Sequence, residues 1–334
     1  MKKKIICTIG PSSSTKKVLF GLKKNGVDIF RINLSHTSLK ELPGKINFLK
    51  KNKIKNICID TEGAQVRTTK VKKGIFFKKN KKIKIYIKDK ISNKNNIFIY
   101  PYFNLMSVKI RSKIFIGFDN LEIVVVQKNY KKNFLIGKVT NEGLLESNKS
   151  VHFSCGIKLP PLTAKDIHAI KFSVKKGVKI FAMSFVNEFK DLIEIRKLIG
   201  NSSYLISKIE TSSAIKNLKT IIKKSNALLI DRGDLSRYVR IEKIPLAQRY
   251  ICKLAISKKI PVYIATNLLE SMVKNTQPTR AESNDIFTSL ENGAAGLVLA
   301  AESAIGRYPV LSAKFLRDCI KVFLSKKDIL TRIY

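Results

Sequence analysis

Eight short apolar runs, at positions 5–9, 29–34, 56–59, 178–186, 205–209, 228–230, 262–265 and 297–300, set the tightest limit on how this chain can fold. Stretches with helical periodicity separate most of them, at 163–176, 187–199, 211–224, 244–259, 280–292 and 308–323. Strands that are apolar on both faces need cover on both, which a parallel sheet with crossover helices supplies. Eight such alternations predict an α/β fold, a TIM-type (β/α)8 barrel closed on itself.

One span breaks the rhythm. From about 69 to 158, short alternating strands at 81–88, 113–118, 121–126 and 134–139 are interrupted by Asn, Gly, Pro and Asp. This reads as a small all-β domain inserted after the third barrel strand, leaving 1–68 and 159–334 to the barrel and 69–158 to the insertion. Insertions at that face commonly form lids that exclude water, so a lid is the expected role.

The 334 residues, 44% hydrophobic, suffice for a full core. A formal net charge of +41 would ordinarily point to nucleic acid or an anionic membrane. Lys is instead spread through nearly every predicted helix and loop beside abundant Asn and Ile, as compositional drift in an A+T-rich genome would leave it. Neither a specific nucleic acid nor a membrane is expected as partner. The cysteines at 7, 58, 155, 252 and 319 form no CxxC or CxxH spacing, which argues against disulfides and zinc. There is no run of 18 apolar residues, and the first strand begins by Ile5, so a cytoplasmic protein without a leader is expected.

Chemistry gathers where the apolar runs end. Tyr204-Leu-Ile-Ser-Lys-Ile-Glu210 turns polar only at its last residues, and Ala227-Leu-Leu-Ile-Asp-Arg-Gly-Asp234 does the same. Lys208 and Glu210 alternate across Ile209 and so share a face, and Asp234 comes from the next strand's exit. Two carboxylates from adjacent strand ends suit Mg2+, a hard cation that keeps waters for substrate to replace. Arg31, Asn33 and Ser35 alternate in the same way, and an Arg between Phe30 and Ile32 calls for a buried anion. Asp60-Thr-Glu-Gly-Ala-Gln-Val-Arg67 holds an acid, a hydroxyl and a guanidinium in one loop, a set that could ligate a cation and hold a phosphate. Gly233 allows a turn that brings backbone N–H groups to an anion. Thr266 ends the seventh run, and Thr279 with Glu282 forms a capping box, which makes Arg280 and Glu282 scaffold. His36, His152 and His168 stand in no ligand spacing.

Together the motifs CTIGPSS, FRINLSH, IDTEGAQVRT, SKIE, DRGDLS, IATNLLESM, PTRAES and LVLAAESAIGRYP resemble, in order and spacing, the pyruvate kinase family. The resemblance implies a glycolytic phosphotransferase that converts phosphoenolpyruvate and ADP to pyruvate and ATP with Mg2+ or Mn2+ and K+. It assigns the phosphoryl group to Arg31 and Lys208 and the divalent metal to Glu210 and Asp234. Asn33, Ser35, Asp60 and Thr61 fall to the monovalent cation, and Gly233 and Asp234 backbone to the substrate carboxylate. Thr266 lies near the carbon that gains a proton, and Asn33, His36 and Arg67 face the nucleotide. A homo-oligomer through the barrel is also implied.

Departures from that pattern are visible. Gln65 stands where a charge usually bears on the K+ requirement, Ala300-Ala301 replaces Ser-Gly, and Cys155 replaces a Lys in the segment returning from the insertion. Asp231 replaces an Ala, placing an extra carboxylate where it can perturb the metal site or pair with Arg232. The family's C-terminal regulatory domain has no counterpart in these 334 residues, so the sugar-phosphate effector site and one of the usual subunit interfaces are expected to be missing too. Two other readings compete: an Mg2+-dependent barrel lyase or aldolase acting on 2-oxo acids, and a degenerate basic RNA-binding scaffold.

Overall fold

The computed structural model describes residues 2–63, 65–117, 121–155 and 157–325. The chain divides into two compact units, Met1–Gly63 with Pro161–Tyr334, and Ala64–Pro160.

In the first unit the eight apolar runs are eight strands: β1 (Lys4–Thr8), β2 (Ile29–Asn33), β3 (Ile57–Asp60), β4 (Ile180–Met183), β5 (Tyr204–Ile209), β6 (Ala227–Asp231), β7 (Val262–Ala265) and β8 (Gly296–Leu299). They form a closed barrel in which each pairs in parallel with its neighbours in chain order, β8 closing on β1. The predicted barrel is therefore present. Gly296 is needed at the closure, because a Cβ there would lie 2.4 Å from the Lys4 carbonyl oxygen.

Helices follow the strands as the periodicity indicates: Ala164–Lys175, Phe189–Ile199, Ile244–Ser257, Arg280–Glu291 and Pro309–Leu324. The single helix expected over 211–224 is instead broken into Ser212–Lys216 and Leu218–Ile221. Asn217 interrupts it, ending the first piece and starting the second while its amide donates to the Asn187 carbonyl at 2.8 Å. An Asn with such a partner favours a cap over a helix interior.

The first unit has two apolar layers. One, between strands and helices, includes Ile5, Ile32, Ile59, Phe181, Leu205, Ile230, Ile264 and Leu299. The other fills the barrel and draws on all eight strands: Ile6, Ile29, Cys58, Ala182, Ile206, Ala227, Leu229, Tyr263, Ala265 and Val298. Side chains alternate along a strand, so the residue two positions beyond each of these returns to the interior at the C-terminal mouth. Applied to β1 through β6, that arithmetic selects Thr8, Arg31, Asp60, Ser184, Lys208 and Asp231.

The second unit is all-β. Seven strands pair in the order Val151–Phe153, Lys113–Ile116, Leu121–Asn129, Phe134–Asn141, Lys82–Ile87, Asn96–Tyr100 and Arg67–Thr68, and Ile75–Phe77 pairs with Gly143–Leu145. Its own core includes Phe77, Ile83, Ile85, Ile114, Ile123 and Leu135. Ile83 and Ile85 are buried between exposed lysines at 82 and 84, a period-two pattern that leaves one sheet face to solvent. Phe118, which ends the predicted 113–118 strand, lies outside the described residues, as do Ala64 and Gly156. Among the described residues no helix is long and apolar enough to cross a membrane.

Candidate active site

The mouth of the barrel is built around two buried cations. Arg31, the central residue of β2, donates from Nε and Nη2 to Thr8 Oγ1 at 2.9 and 2.6 Å, and from Nη1 to Asp60 Oδ2 at 3.0 Å. Parallel register places Thr8 and Arg31 opposite each other, with Asn33 opposite Asp60 on the next pair. Lys208, on β5, donates to Ser184 Oγ at 3.0 Å and to Asp60 Oδ2 at 3.5 Å. Its ammonium also lies 2.8 Å from Glu210 Oε1 and 3.6 Å from Asp231 Oδ2. The anionic partner required for an Arg inside an apolar strand is thus Asp60, itself fully buried.

Charge decides how these groups titrate. Burial would lower the Lys208 pKa, but Asp60, Glu210 and Asp231 outweigh it and hold the amine above its ordinary range, so it remains a cation at any working pH. Burial pushes Glu210 up to about 8 against the pull of Lys208, with Asp234 and Asp231 adding to the push. Glu210, Asp231 and Asp234 offer carboxylate oxygens within 4.8 Å of one another. Glu210 Oε2 accepts the Phe185 N–H at 2.6 Å, and Oε1 is paired with the Lys208 ammonium at 2.8 Å. An oxygen-only set of three carboxylates, two of them buried, fits a hard divalent cation such as Mg2+ or Mn2+.

Thr266 follows β7 and adopts φ +70, the left-handed region, as does Asn267 at φ +55. For a β-branched residue this conformation costs on the order of 1–3 kcal/mol and persists only where the surroundings enforce it. Arg232 does so, donating from Nε and Nη2 to the Thr266 carbonyl at 3.1 and 2.6 Å while Nη1 is anchored on Asp285 at 2.7 Å. The Thr266 hydroxyl accepts the Gly233 N–H at 2.8 Å and donates to the Ala265 carbonyl at 2.6 Å. The expected pairing of Asp231 with Arg232 does not occur: Arg232 is occupied by Asp285 and Thr266, and Asp231 lies on the inward face with Lys208. Beside Thr266 lies a depression of about 610 Å³ lined by Gly233, Asn267, Glu270, Ala300 and Glu302 among others.

The remaining expected site residues are also placed. Asn33 Oδ1 accepts the Ser35 N–H at 2.9 Å in the turn Leu34–His36, which carries His36. Thr61 Oγ1 accepts the Ser184 N–H at 2.9 Å. Asn33, Ser35, Asp60 and Thr61 therefore occupy the adjoining ends of β2 and β3. Arg67 lies in the second unit, where Nη1 donates to the Asn148 carbonyl at 3.1 Å, and Gln65 Oε1 in that unit is buried without a hydrogen bond. Sequence reasoning passed over Ser184, hidden inside the run 178–186, although it sits two positions beyond inward-facing Ala182. It also missed Glu302, whose carboxylate accepts the Leu269 and Ala300 N–H groups at 3.1 and 2.8 Å and so ties the β7 and β8 loops together.

Comparison with known proteins agrees with this geometry. A family model described as "Pyruvate kinase, barrel domain" matches residues 1–313. The pyruvate kinase of Staphylococcus aureus (strain MRSA252) is 32% identical over 327 residues, covering 95% of this chain and 56% of the relative. That of Sporosarcina psychrophila is 32% identical over 325 residues, covering 94% and 55%. The chain spans about half the length of these curated relatives. A closed eight-stranded barrel, a lysine and carboxylates gathered at its mouth, and a family match running from β1 into the last helix lead to one assignment: this chain belongs to the pyruvate kinase family.

Proposed function

We propose that the chain transfers the phosphoryl group of phosphoenolpyruvate to ADP, giving pyruvate and ATP. The observation that carries this reading is the convergence of Lys208, Arg31 and the carboxylates of Glu210 and Asp234 at one barrel mouth. Phosphoryl transfer needs little covalent help from a protein; it needs positioned positive charge. Lys208 and Arg31 supply it, locked in place by Asp60, and the surrounding carboxylates keep the Lys208 amine ionised. A divalent cation held by Glu210 and Asp234 would add positive charge against the phosphoryl oxygens. A monovalent cation falls to Asn33, Ser35, Asp60 and Thr61, and the nucleotide to Asn33 and His36.

The substrate carboxylate accepts from the Gly233 and Asp234 N–H groups. In doing so it replaces the bond that Gly233 now makes to Thr266, leaving the Thr266 oxygen with an open lone pair while its O–H is still held by the Ala265 carbonyl, beside the enolate carbon that takes up a proton. Pyruvate production from phosphoenolpyruvate, followed with and without ADP, Mg2+ and K+, tests the proposal. Turnover that requires both ADP and Mg2+ supports it, and any K+ dependence then reports on Gln65. Pyruvate formed without ADP, or cleavage of a 2-oxo acid, would favour a lyase instead. RNA binding that survives about 200 mM salt, with no turnover, would favour the scaffold reading.

A further inference from the structure

The structure assigns Asp231 as a third carboxylate donor to the divalent cation, an inference that rests on the metal reading above. Asp231 lies two residues beyond Leu229, which faces the barrel interior, so its side chain returns to that interior one step nearer the mouth. Its carboxylate is within 4.8 Å of ligand oxygens on both Glu210 and Asp234. Arg232, the adjacent guanidinium, is directed to Asp285 and Thr266 and leaves Asp231 uncompensated from that side. Among the described residues Asp231 meets the Asp234 N–H at 3.5 Å, as cap of the helical turn Arg232–Leu235, and the Lys208 ammonium at 3.6 Å.

The charge balance points the same way. With all four carboxylates ionised, as cation ligation requires of the ligands, Asp60, Glu210, Asp231 and Asp234 outnumber Arg31, Lys208 and Arg237 by one. Without Asp231 the two sets would balance. Asp231 thus supplies the excess negative charge that draws a cation into the mouth. Oxygen sites tune their affinity through the number of charged ligands. The same charge opposes an anionic substrate once the metal is in place, so tighter metal binding comes with a higher KM for that substrate.

Mn2+ is the probe. Free Mn2+ is titrated by electron paramagnetic resonance against the full chain, Asp231→Asn, Asp231→Ala and Glu210→Gln, with circular dichroism confirming each fold. The isosteric Asn keeps the turn at Arg232 if Ala does not. Asp231→Asn is expected to weaken Mn2+ binding about 10-fold or more. Water-proton relaxation is expected to show one additional water on the Mn2+ of Asp231→Ala. Unchanged affinity in both Asp231 variants, alongside loss in Glu210→Gln, overturns the inference and leaves the metal site standing. Weaker binding with the same water count also overturns it, because Asp231 then acts through charge alone. If the unmodified chain binds no Mn2+, the underlying metal reading falls as well.

Discussion

Replacing Lys208 with Met separates the cation from the packing of its stem. Met keeps most of the apolar length but leaves Asp60, Glu210 and Asp231 without the ammonium that lies within 3.6 Å of all three. Arg31 still serves Asp60, so the uncompensated charge falls mainly on Glu210 and Asp231. Breaking a buried pair from one side costs roughly 3–5 kcal/mol. At about 2–4 °C per kcal/mol for a domain of this size, Tm should fall by roughly 6–20 °C in scanning calorimetry. Under the proposed function, in which Lys208 offers its charge to the transferring group, turnover should fall by about 10³ or more. Saturating Mg2+ should restore more of the lost Tm in the variant than it adds to the unmodified chain, since the cation takes over the ammonium's electrostatic task. A Lys208→Met protein that melts and turns over like the parent would refute both the charge bookkeeping and the catalytic assignment.

Three further outcomes follow from the geometry. Arg232→Ala should release Thr266 from its left-handed conformation, lowering kcat about 10-fold or more while KM for ADP changes little; steady-state kinetics in both substrates checks this. Asp166→Ala should cost about 3 kcal/mol or more in urea unfolding, because its buried carboxylate accepts the N–H groups of Glu62, Gly63 and Thr163 at 2.8, 3.1 and 3.0 Å. For the thiols, burial raises Cys7 and Cys58 well above their usual range and pushes Cys252 and Cys319 up to about 11. At pH 8 these four remain protonated and covered in the folded chain, so a disulfide reagent should label Cys155 first and the others only on unfolding; fast labelling of more than one thiol contradicts the burial.

The barrel was readable because its strands must be apolar on both faces, and few other folds demand that eight times. Lys208 and Glu210 were readable for a related reason: period-two spacing forces them to one side of β5. Pairings between distant segments were harder to see. The parallel pairing of Lys82–Ile87 with Asn96–Tyr100, and the two-residue strand Arg67–Thr68, leave no local periodicity strong enough to mark them. For Asp231 the sequence left two outcomes open, perturbing the metal site or pairing with Arg232, and adjacency alone could not choose between them. Neighbours on a strand point to opposite faces, and only Leu229, two positions back, shows where the carboxylate goes. Ser184 was lost because a small hydroxyl scarcely alters the hydropathy of the run around it.

Asp166 carries a consequence for how the barrel tolerates its long excursion. Its Oδ2 accepts the N–H of Gly63, where the chain leaves the barrel with φ +71, and also the N–H of Thr163, where the helix Ala164–Lys175 begins. Departure and return are therefore stapled to one oxygen atom. Whatever length of chain is spliced between those two points meets ends already joined, so evolution, or an experimenter, can enlarge, exchange or excise the intervening segment while the ring keeps its closure.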